Sequence, residues 1–466
     1  MNYSQKTEVE ILQHASLLEG RNLKYIQKES KNNDESINTQ NKGSVGLFIE
    51  KYWFGIDANS SEKPDFEKAA IELKVCPLKK TSKQGFKTKE RTKICMINYE
   101  KLVKEQWKKS HARKKLNKIL FIFYEFDKEN WNKQRVIAVR LWSVNQDEKI
   151  LEYEWEKTYK IVSQGNAHKL SEKGYQALAP STAGTGREIK QPFNSILAKE
   201  RAFSLKQSFV NQYWESIKKN PVSFESLLDT LNLKSAQEIE YKLTEIFDIY
   251  VGMSLGEIAK KNNIKIKLTA KNAVPIIFKN IIGLKSHKSK IKEFEQFGIQ
   301  IKTVPVNKNN SFMPYEAMSF PAISLEEFSQ EENYYDSDLY NYLSRIFIIP
   351  IHRNTRNAKS SPIEKRTLER PFFWSPSDIE LDIIQKEWKN YQNEVKDGKA
   401  KVIEIKNGRE TTGLTKSKYT EIIHMRPHAS NNQDRDCYKG NSIVKQSFWL
   451  NTKFVQKIIQ ESNNRN

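Results

Sequence analysis

The feature that most constrains the fold is an internal repeat, because the same order of segments occurs twice along the chain. Segments 18–26, 42–50, 65–77 and 202–205 match segments 250–258, 271–279, 293–305 and 447–450. A long-period repeat of this kind indicates one fold built twice. We therefore expect one domain at 1–222, a linker at 223–234 and a second domain at 235–466. The fold class expected for each half is α/β.

One repeated segment combines two acids and a lysine with an apolar alternation. Between residues 71 and 75, apolar residues alternate with Glu72 and Lys74. The two-residue period of a strand places Glu72 and Lys74 on one face. Asp65 precedes this strand in a turn, from where its carboxylate could meet that of Glu72 on one cation. The spacing is typical of metal-dependent nucleases, although an amphipathic strand with a solvated charged face has the same pattern.

The residue types suit phosphodiester hydrolysis. Mg2+ prefers carboxylate oxygens and keeps several waters, so Asp65 and Glu72 could hold it against a phosphate while a bound water is activated. Lys74 would orient that water or stabilise the developing negative charge. A helix predicted from Lys42 carries Glu50 opposite its apolar stripe. Glu50 is either a third acid of the same site or a solvated charge.

Composition fits a polyanion as partner. The chain has 78 Lys and Arg against 57 Asp and Glu, which gives a net charge of +21, and such a field attracts DNA, RNA or an anionic membrane. We expect a cytoplasmic protein, because the first residues are polar and no apolar run is long enough to span a bilayer. The 3 cysteines lack a C-x-x-C spacing, which argues against a disulfide framework or a zinc ribbon.

Two later segments could approach a nucleic acid. Ala179–Asn194 is rich in Ser, Thr, Gly and Pro, which predicts a loop long enough to reach a groove. Arg201–Leu205 predicts a short strand that leads into a helix.

The two copies differ at their acids. Glu50 becomes Lys279, Asp65 becomes Glu293 and Glu72 becomes Gln300, whereas the apolar frame is kept. An amide and a lysine in place of two carboxylates leave too little negative charge to hold Mg2+. The first copy is therefore expected to cut and the second to bind, with drift as the alternative explanation at each single position.

These motifs resemble the MutH-type endonucleases. The likeness rests on Lys42-Gly43-x-Val45-Gly46-x3-Glu50, on Pro64-Asp65-x6-Glu72-x-Lys74 and on the strand-to-helix junction at Phe203-x-Leu205-Lys206. A catalytic copy followed by a degenerate one looks like the two-domain, Sau-type restriction enzymes of that family. The resemblance implies the restriction-endonuclease-like fold, with a mixed sheet flanked by helices, as a tandem duplication. It also implies Mg2+ dependence and cleavage of both DNA strands 5′ of the G in GATC.

The resemblance also implies roles for single residues. Glu50, Asp65 and Glu72 would be metal ligands, Lys74 would orient the water and Lys115 would be a further active-site lysine. The residues expected to contact DNA are Lys42, Gly43, Pro180, Ser181, Arg201, Ser204, Arg426 and His428.

The chain departs from the family pattern at two points. The family's groove-reading Arg-Pro stands as Ala179-Pro180 in the first copy and as Arg426-Pro427 in the second. Ser204 occupies the position of the tyrosine with which the repair nickase senses adenine methylation. Both departures bear on base reading, and the second argues against a nickase that depends on hemimethylation.

His424 and His428 are four residues apart and invite a metal interpretation. Pro427 disfavours a regular helix between them, and no nearby acid or thiol completes a known site. Contact with DNA through Arg426 and the imidazoles is the preferred interpretation, with an ordinary polar loop as the alternative.

The sequence thus predicts a type II restriction endonuclease that acts on double-stranded DNA. Its expected partner is a cognate DNA methyltransferase of the same restriction-modification system, and no association with a membrane is expected. The enzyme would act as a monomer or as a DNA-induced dimer. A MutH-like strand-nicking repair endonuclease and a non-cleaving sequence-specific DNA-binding protein are the alternatives.

Overall fold

The contacts of the 466-residue chain divide it into two compact units. One unit comprises Met1–Ser223 with Glu295–Phe297, and the other comprises Phe224–Phe294 with Gly298–Asn466. A computed structural model describes residues 7–29, 44–57, 62–81, 85–127, 130–183, 186–218, 221–233, 235–265, 273–286, 289–406, 409–429 and 431–464. Lys42 and Gly43 lie outside these residues. The stretch expected as a linker contains a two-residue strand and a one-turn helix, Phe224–Glu225 and Leu227–Thr230.

The first unit contains seven helices and nine strands within its described residues. The helices are α1 Glu8–Ser16, α2 Leu23–Glu29, α3 Ser44–Tyr52, α4 Tyr99–Leu102, α5 His111–Leu116, α6 Glu148–Ser163 and α7 Gln207–Ile217. The strands are β1 Glu72–Lys80, β2 Phe86–Thr88, β3 Thr92–Met96, β4 Lys118–Glu125, β5 Val136–Ser143, β6 Leu178–Thr182, β7 Glu188–Gln191, β8 Asn194–Lys199 and β9 Arg201–Leu205.

A mixed four-stranded sheet forms the centre of this unit. Its order is β2-β1-β4-β5, with β1 and β4 parallel and the outer pairs antiparallel. The residues of β4 between its two ends are all buried, as expected for a strand covered on both faces. The sequence predicted both β4 and β1 as strands. A second sheet, β3-β9-β6, is antiparallel.

The loop predicted at Ala179–Asn194 is wrong. Ala179 lies inside β6, and the segment continues into the antiparallel hairpin of β7 and β8. The side chains of β8 are exposed at three successive positions, so the hairpin lacks the alternation of polar and apolar residues from which a half-buried strand is recognised.

The second unit contains nine helices and fourteen strands within its described residues. The helices are α8 Leu227–Thr230, α9 Glu238–Asp248, α10 Leu255–Lys261, α11 Ala273–Ile281, α12 Lys292–Gln296, α13 Leu325–Gln330, α14 Asp338–Leu343, α15 Asp378–Lys396 and α16 Thr452–Asn464. The strands are β10 Phe224–Glu225, β11 Lys290–Ile291, β12 Ile299–Asn307, β13 Met313–Pro314, β14 Met318–Ala322, β15 Arg345–His352, β16 Thr367–Leu368, β17 Phe372–Trp374, β18 Val402–Lys406, β19 Arg409–Thr412, β20 Ile423–Pro427, β21 Arg435–Tyr438, β22 Asn441–Val444 and β23 Gln446–Leu450.

The same architecture is present in the second unit. Its main sheet has the order β13-β12-β15-β16, with β12 and β15 parallel and β17 also paired to β15. Its second sheet, β14-β23-β20, repeats β3-β9-β6, and the hairpin of β21 and β22 follows β20 as β7 and β8 follow β6. The tandem duplication expected from the sequence is therefore confirmed. In the described residues, no helix combines the length and the apolar character needed to cross a bilayer.

The strand registers fix which residues correspond. Glu72 pairs with Ile119 in the first unit and Gln300 pairs with Ile346 in the second, so Glu72 and Gln300 hold equivalent positions, as do Lys74 and Lys302. In the other sheet Ser181 faces Ala202 and Arg426 faces Ser447.

This register corrects one equivalence drawn from the sequence. The dipeptide Ala179-Pro180 corresponds to His424-Met425, because Ala179 pairs with Ser204 as His424 pairs with Trp449. Arg426-Pro427 lies two residues further along its strand than Ala179-Pro180 lies on β6. The match between the two X-Pro dipeptides is therefore wrong.

Candidate active site

The acids of the first unit are supplied by three different elements. Glu50 lies on α3, whose Val45, Phe48 and Ile49 are buried in the core. Asp65 precedes a short turn that ends at Ala70, a residue with φ of 52°. This turn brings Asp65 back to the start of β1, where its Oδ2 accepts a hydrogen bond from the Leu73 amide at 2.8 Å.

Glu72 is the most deeply buried member of the group. It is the first residue of β1 and only 1% exposed. Lys74 donates to its Oε1 at 2.6 Å, which confirms that the two side chains share one face of the strand. Lys115, from the last turn of α5, contacts Oε1 and Oε2 at 3.0 and 3.2 Å. Two ammonium groups thus compensate a carboxylate that could not remain charged alone at this depth.

Burial, and after it the neighbouring charges, shift the pKa values of Glu50, Asp65 and Lys74. Burial raises the pKa of Glu50, and the neighbouring carboxylates of Asp65 and Glu72 raise it further. Burial also raises the pKa of Asp65, with Glu72 as the next cause. For Lys74, burial lowers the pKa, but the charges of Glu72 and Asp65 outweigh it and the net shift is upward. The three carboxylates therefore repel one another, and added positive charge would relieve that repulsion.

The donor chemistry of Glu50, Asp65 and Glu72 fits a hard divalent cation, because all three offer carboxylate oxygens. The present arrangement is not a ready-made ligand set. Within the described residues, no group of three or more His, Cys, Asp or Glu side chains is placed to hold a metal ion. Glu72 is occupied by Lys74 and Lys115, and Asp65 by the Leu73 amide, so an incoming cation would compete with these contacts.

Four of the residues expected to contact DNA in the first unit, Pro180, Ser181, Arg201 and Ser204, lie together but are buried. Ser181 and Ser204 join their hydroxyls at 2.6 Å across β6 and β9. Arg201 donates to the Pro180 carbonyl at 2.8 Å. All four side chains are buried, so a direct contact with bases would require these strands to open.

The corresponding region of the second unit is built differently. The Arg426 guanidinium lies 3.7 Å from the centre of the Trp449 ring, and Trp449 stands where the first unit has Ser204. The His428 ring lies 5.0 Å from that of Trp449 and makes hydrogen bonds with the Phe320 carbonyl and Ser447. His424 is buried and bonded to Asn451. His424 lies in β20 and His428 directly follows it. Both rings thus form hydrogen bonds with other groups of the protein.

Among the residues that the structure describes, the second unit has no equivalent of the acid site. Glu293 accepts hydrogen bonds from the Leu227 amide at 2.8 Å and the Ser226 hydroxyl at 2.7 Å. Lys279 donates to the Ser289 carbonyl at 2.6 Å. Lys302 donates to the Ser319 carbonyl and lies 4.5 Å from the Phe320 ring centre. Because burial without a carboxylate partner disfavours its charge, the pKa of Lys302 falls to about 8.

The start of β6 is held in place by a buried glutamate, which the sequence analysis did not single out. Glu154, on the apolar side of α6, accepts hydrogen bonds from the amides of Gln176, Ala177 and Leu178. In the second unit, Glu387 on α15 likewise accepts hydrogen bonds from the backbone amides of residues 421 to 423. The signal was available, because a Glu-Trp pair occurs at 154–155 and again at 387–388. Each glutamate fixes the start of the strand that enters the second sheet.

Comparison with known proteins identifies the architecture. A family model described as the DNA mismatch repair enzyme MutH matches residues 54–154 and 282–387. The type II restriction enzyme Sau3AI of Staphylococcus aureus is 28% identical over 92% of this chain and 94% of its own length. The DNA mismatch repair protein MutH of Vibrio vulnificus is 28% identical over 48% of this chain and 97% of its own.

The MutH protein of Photorhabdus laumondii is 24% identical over 43% of this chain and 80% of its own length. These repair proteins thus match about half of the chain, whereas the restriction enzyme matches nearly all of it. With two family matches on two copies of one architecture, the chain is similar to the MutH-type endonucleases and carries a MutH-like fold twice.

Proposed function

We propose that this protein is a type II restriction endonuclease that hydrolyses both strands of double-stranded DNA 5′ of the G in GATC. The observation that carries the proposal is the cluster of Glu50, Asp65 and Glu72 with two lysines in the first unit, whose counterpart in the second unit is dismantled. The alignment of a restriction enzyme over nearly the whole chain supports it, whereas the repair proteins align with about half.

In this proposal Glu50, Asp65 and Glu72 hold Mg2+. The ion would polarise the scissile phosphate and lower the pKa of a bound water. Lys74 and Lys115 form ion pairs with Glu72, which supports a role in which their ammonium groups would stabilise negative charge on a phosphate and orient the attacking water. Burial of Glu72 keeps bulk water from screening these charges.

The second unit is proposed to bind DNA without cutting it. Gln300 offers an amide in place of the carboxylate of Glu72, and Lys279 places a positive charge where Glu50 stands in the first unit. The carboxylate of Glu293 accepts a hydrogen bond from the amide of Leu227, the first residue of α8. The exposed Arg426 on Trp449 supports a contact with bases or phosphates there. The catalytic domain would thus be 1–222 and the binding domain 235–466.

Further roles follow from the reaction. A cell that contains an enzyme cutting at GATC must protect its own sites, so we propose a cognate DNA methyltransferase in the same cytoplasm. One acid cluster cuts one strand at a time. Double-strand cleavage therefore requires either two chains paired on DNA or a second cut by one chain after it has turned. The proposed DNA contacts are Lys42, Gly43, Pro180, Ser181, Arg201, Ser204, Arg426 and His428. For the buried Pro180, Ser181, Arg201 and Ser204, the proposal includes an opening of β6 and β9 on DNA.

The proposal is tested with purified protein, unmethylated plasmid and Mg2+. We expect discrete linear fragments whose sequenced ends begin with GATC. Open-circle product without linear DNA would favour the strand-nicking alternative, and retarded but intact DNA would favour the non-cleaving binder. Glu72→Ala should abolish cleavage while binding persists. Gln300→Ala, at the equivalent position of the second unit, is the matched control and should leave cleavage intact.

A further inference from the structure

The tip of the hairpin formed by β7 and β8 presents an aromatic side chain to solvent in an unfavourable backbone conformation. Phe193 is 74% exposed and has φ of +61°. It follows Pro192 in a two-residue turn flanked by the pair Gln191 and Asn194. A positive φ at this position of a turn is normally taken by Gly or Asn, because a Cβ is strained there. Gly would adopt this φ with less strain than Phe193, so the turn geometry does not account for a phenylalanine here.

The tip is nevertheless held firmly. Asn194 donates to the Gly165 carbonyl at 2.8 Å, and the buried Gln191 accepts from the Ala167 amide at 2.7 Å. Gly165 allows the close approach, because a Cβ added there would lie 2.9 Å from the Phe193 carbonyl oxygen. These contacts fix the backbone of the turn while the Phe193 ring is left outside. The structure thus presents a large apolar group in a preorganised position.

The apolar character continues along the hairpin. Ile196 and Leu197 are successive residues of β8 and are 54% and 46% exposed. Adjacent strand residues point to opposite faces, so apolar groups project into solvent from both sides of this two-stranded hairpin, although Gln191 and Ala198 are buried. Exposed apolar groups at this density mark an interaction surface.

The second unit provides an internal comparison. Its hairpin of β21 and β22 lies between the equivalent strands β20 and β23, and its tip is Lys439-Gly440, with φ values of 48° and 75°. That turn places its glycine at the position that matches Phe193. The two copies therefore share the hairpin but differ in what its tip presents.

Three features indicate DNA as the occupant of this surface. A two-stranded ribbon fits a DNA groove, and Phe, Leu and Ile are the side chains that proteins insert between base steps. Exposed cations accompany the apolar groups, with Arg187, Lys190 and Lys199 on the hairpin against the acids Glu188 and Glu200. The hairpin also continues β6 and β9, the strands that carry the proposed contacts Ser181 and Arg201.

We propose that Phe193 is a wedge that stacks against the bases of bound DNA and unstacks one base step, with Ile196 and Leu197 against the groove wall. This inference rests on the proposed function, because it assigns a further DNA-contacting residue to the same enzyme. The positioning residues Gln191, Asn194 and Gly165 hold the wedge for insertion, so DNA need not order it on binding.

The test uses the full chain with Ca2+ in place of Mg2+ and duplexes that contain one GATC. 2-Aminopurine replaces a base at each position of the site and its flanks in turn. The wild type should raise the fluorescence at one step, because unstacking removes quenching. Phe193→Gly should abolish that rise and weaken binding by about tenfold, while its melting temperature stays equal or increases. Phe193→Tyr should keep the signal, and Tyr153→Ala, which removes an exposed aromatic from α6, should behave as the wild type.

Three results would overturn the inference. Wild-type affinity and fluorescence in Phe193→Gly would exclude the wedge while the endonuclease proposal stands. A loss of self-association in Phe193→Gly, with unchanged DNA binding, would assign the surface to a second copy of the chain. If the wild type binds no DNA, the proposed function fails and the wedge with it.

Discussion

Lys74 and Lys302 occupy the same position of the two copies, and their replacement by methionine should change stability in opposite directions. Lys74 forms an ion pair with Glu72 at 2.6 Å. Lys302 has no ion pair among the described residues, and its pKa falls from 10.5 to about 8 because burial disfavours the charged form. The same substitution therefore removes a needed countercharge in one unit and an uncompensated charge in the other.

The magnitude for Lys302 follows from its pKa. A shift from 10.5 to about 8 corresponds to at most about 3 kcal/mol of free energy opposing the charged folded form. Methionine fills a similar volume, so Lys302→Met should raise the free energy of unfolding by about 1–3 kcal/mol at pH 7. Lost contacts with the Ser319 carbonyl and the Phe320 ring reduce the gain.

The dependence on pH gives a second signature. Between pH 8 and 10.5 the unfolded lysine keeps its proton whereas the folded Lys302 has released it. The unfolded state then binds more protons, so stability rises with pH in this window. The difference between Lys302→Met and the wild type should thus be largest below pH 8 and vanish as pH approaches 10.5.

Lys74→Met leaves the buried Glu72 with Lys115 alone. Removal of one partner from a buried ion pair costs about 3 kcal/mol, which lowers the melting temperature of a unit of this size by about 6–12 °C. Scanning calorimetry of both variants without divalent ions measures each unit's transition. A destabilised Lys302→Met or a fully stable Lys74→Met would refute the assignment of charge in the two copies.

Three further predictions concern the same elements. Glu154→Gln should lower the free energy of unfolding by about 2 kcal/mol, because it weakens acceptors for three backbone amides, and chemical denaturation measures this loss. Gln300→Glu should not create an ion site in the second unit, because Lys279 stands at the sequence position of Glu50 and Glu293 is held by the Leu227 amide. Equilibrium dialysis with Mn2+ should find no added site. As the pH is lowered, Mn2+ binding should be lost at a higher pH than at a site made of carboxylates with ordinary pKa values. The reason is that the pKa values of Glu50 and Asp65 are raised, so these side chains take up protons earlier. Mn2+ titrations at a series of pH values measure this.

The sequence predicted the parts of the site that depend on local period and on the repeat. The alternation around Glu72 and Lys74 placed both side chains on one face, and their ion pair confirms it. The sequence match between the two copies made Gln300 the equivalent of Glu72, and the strand registers agree. Such features depend on strand geometry and on chain order, both of which the residues encode directly.

Other features depend on distant contacts. Lys115 reaches Glu72 across 43 residues from a different element, which the family resemblance suggested and local pattern alone could not. The burial of Ser181, Ser204 and Arg201 depends on how β6, β9 and β3 pair. The match of Ala179-Pro180 to Arg426-Pro427 was wrong because similar dipeptides were aligned without the strand register, which sets them two residues apart.

The proposed function requires that the acids of the first copy bind a divalent ion and that the second copy binds none. Calorimetric titration of Mn2+ into the full chain tests it directly, with Glu72→Ala beside Gln300→Ala. We predict a binding site that disappears in Glu72→Ala and persists unchanged in Gln300→Ala. Equal binding by the wild type and Glu72→Ala would contradict the account.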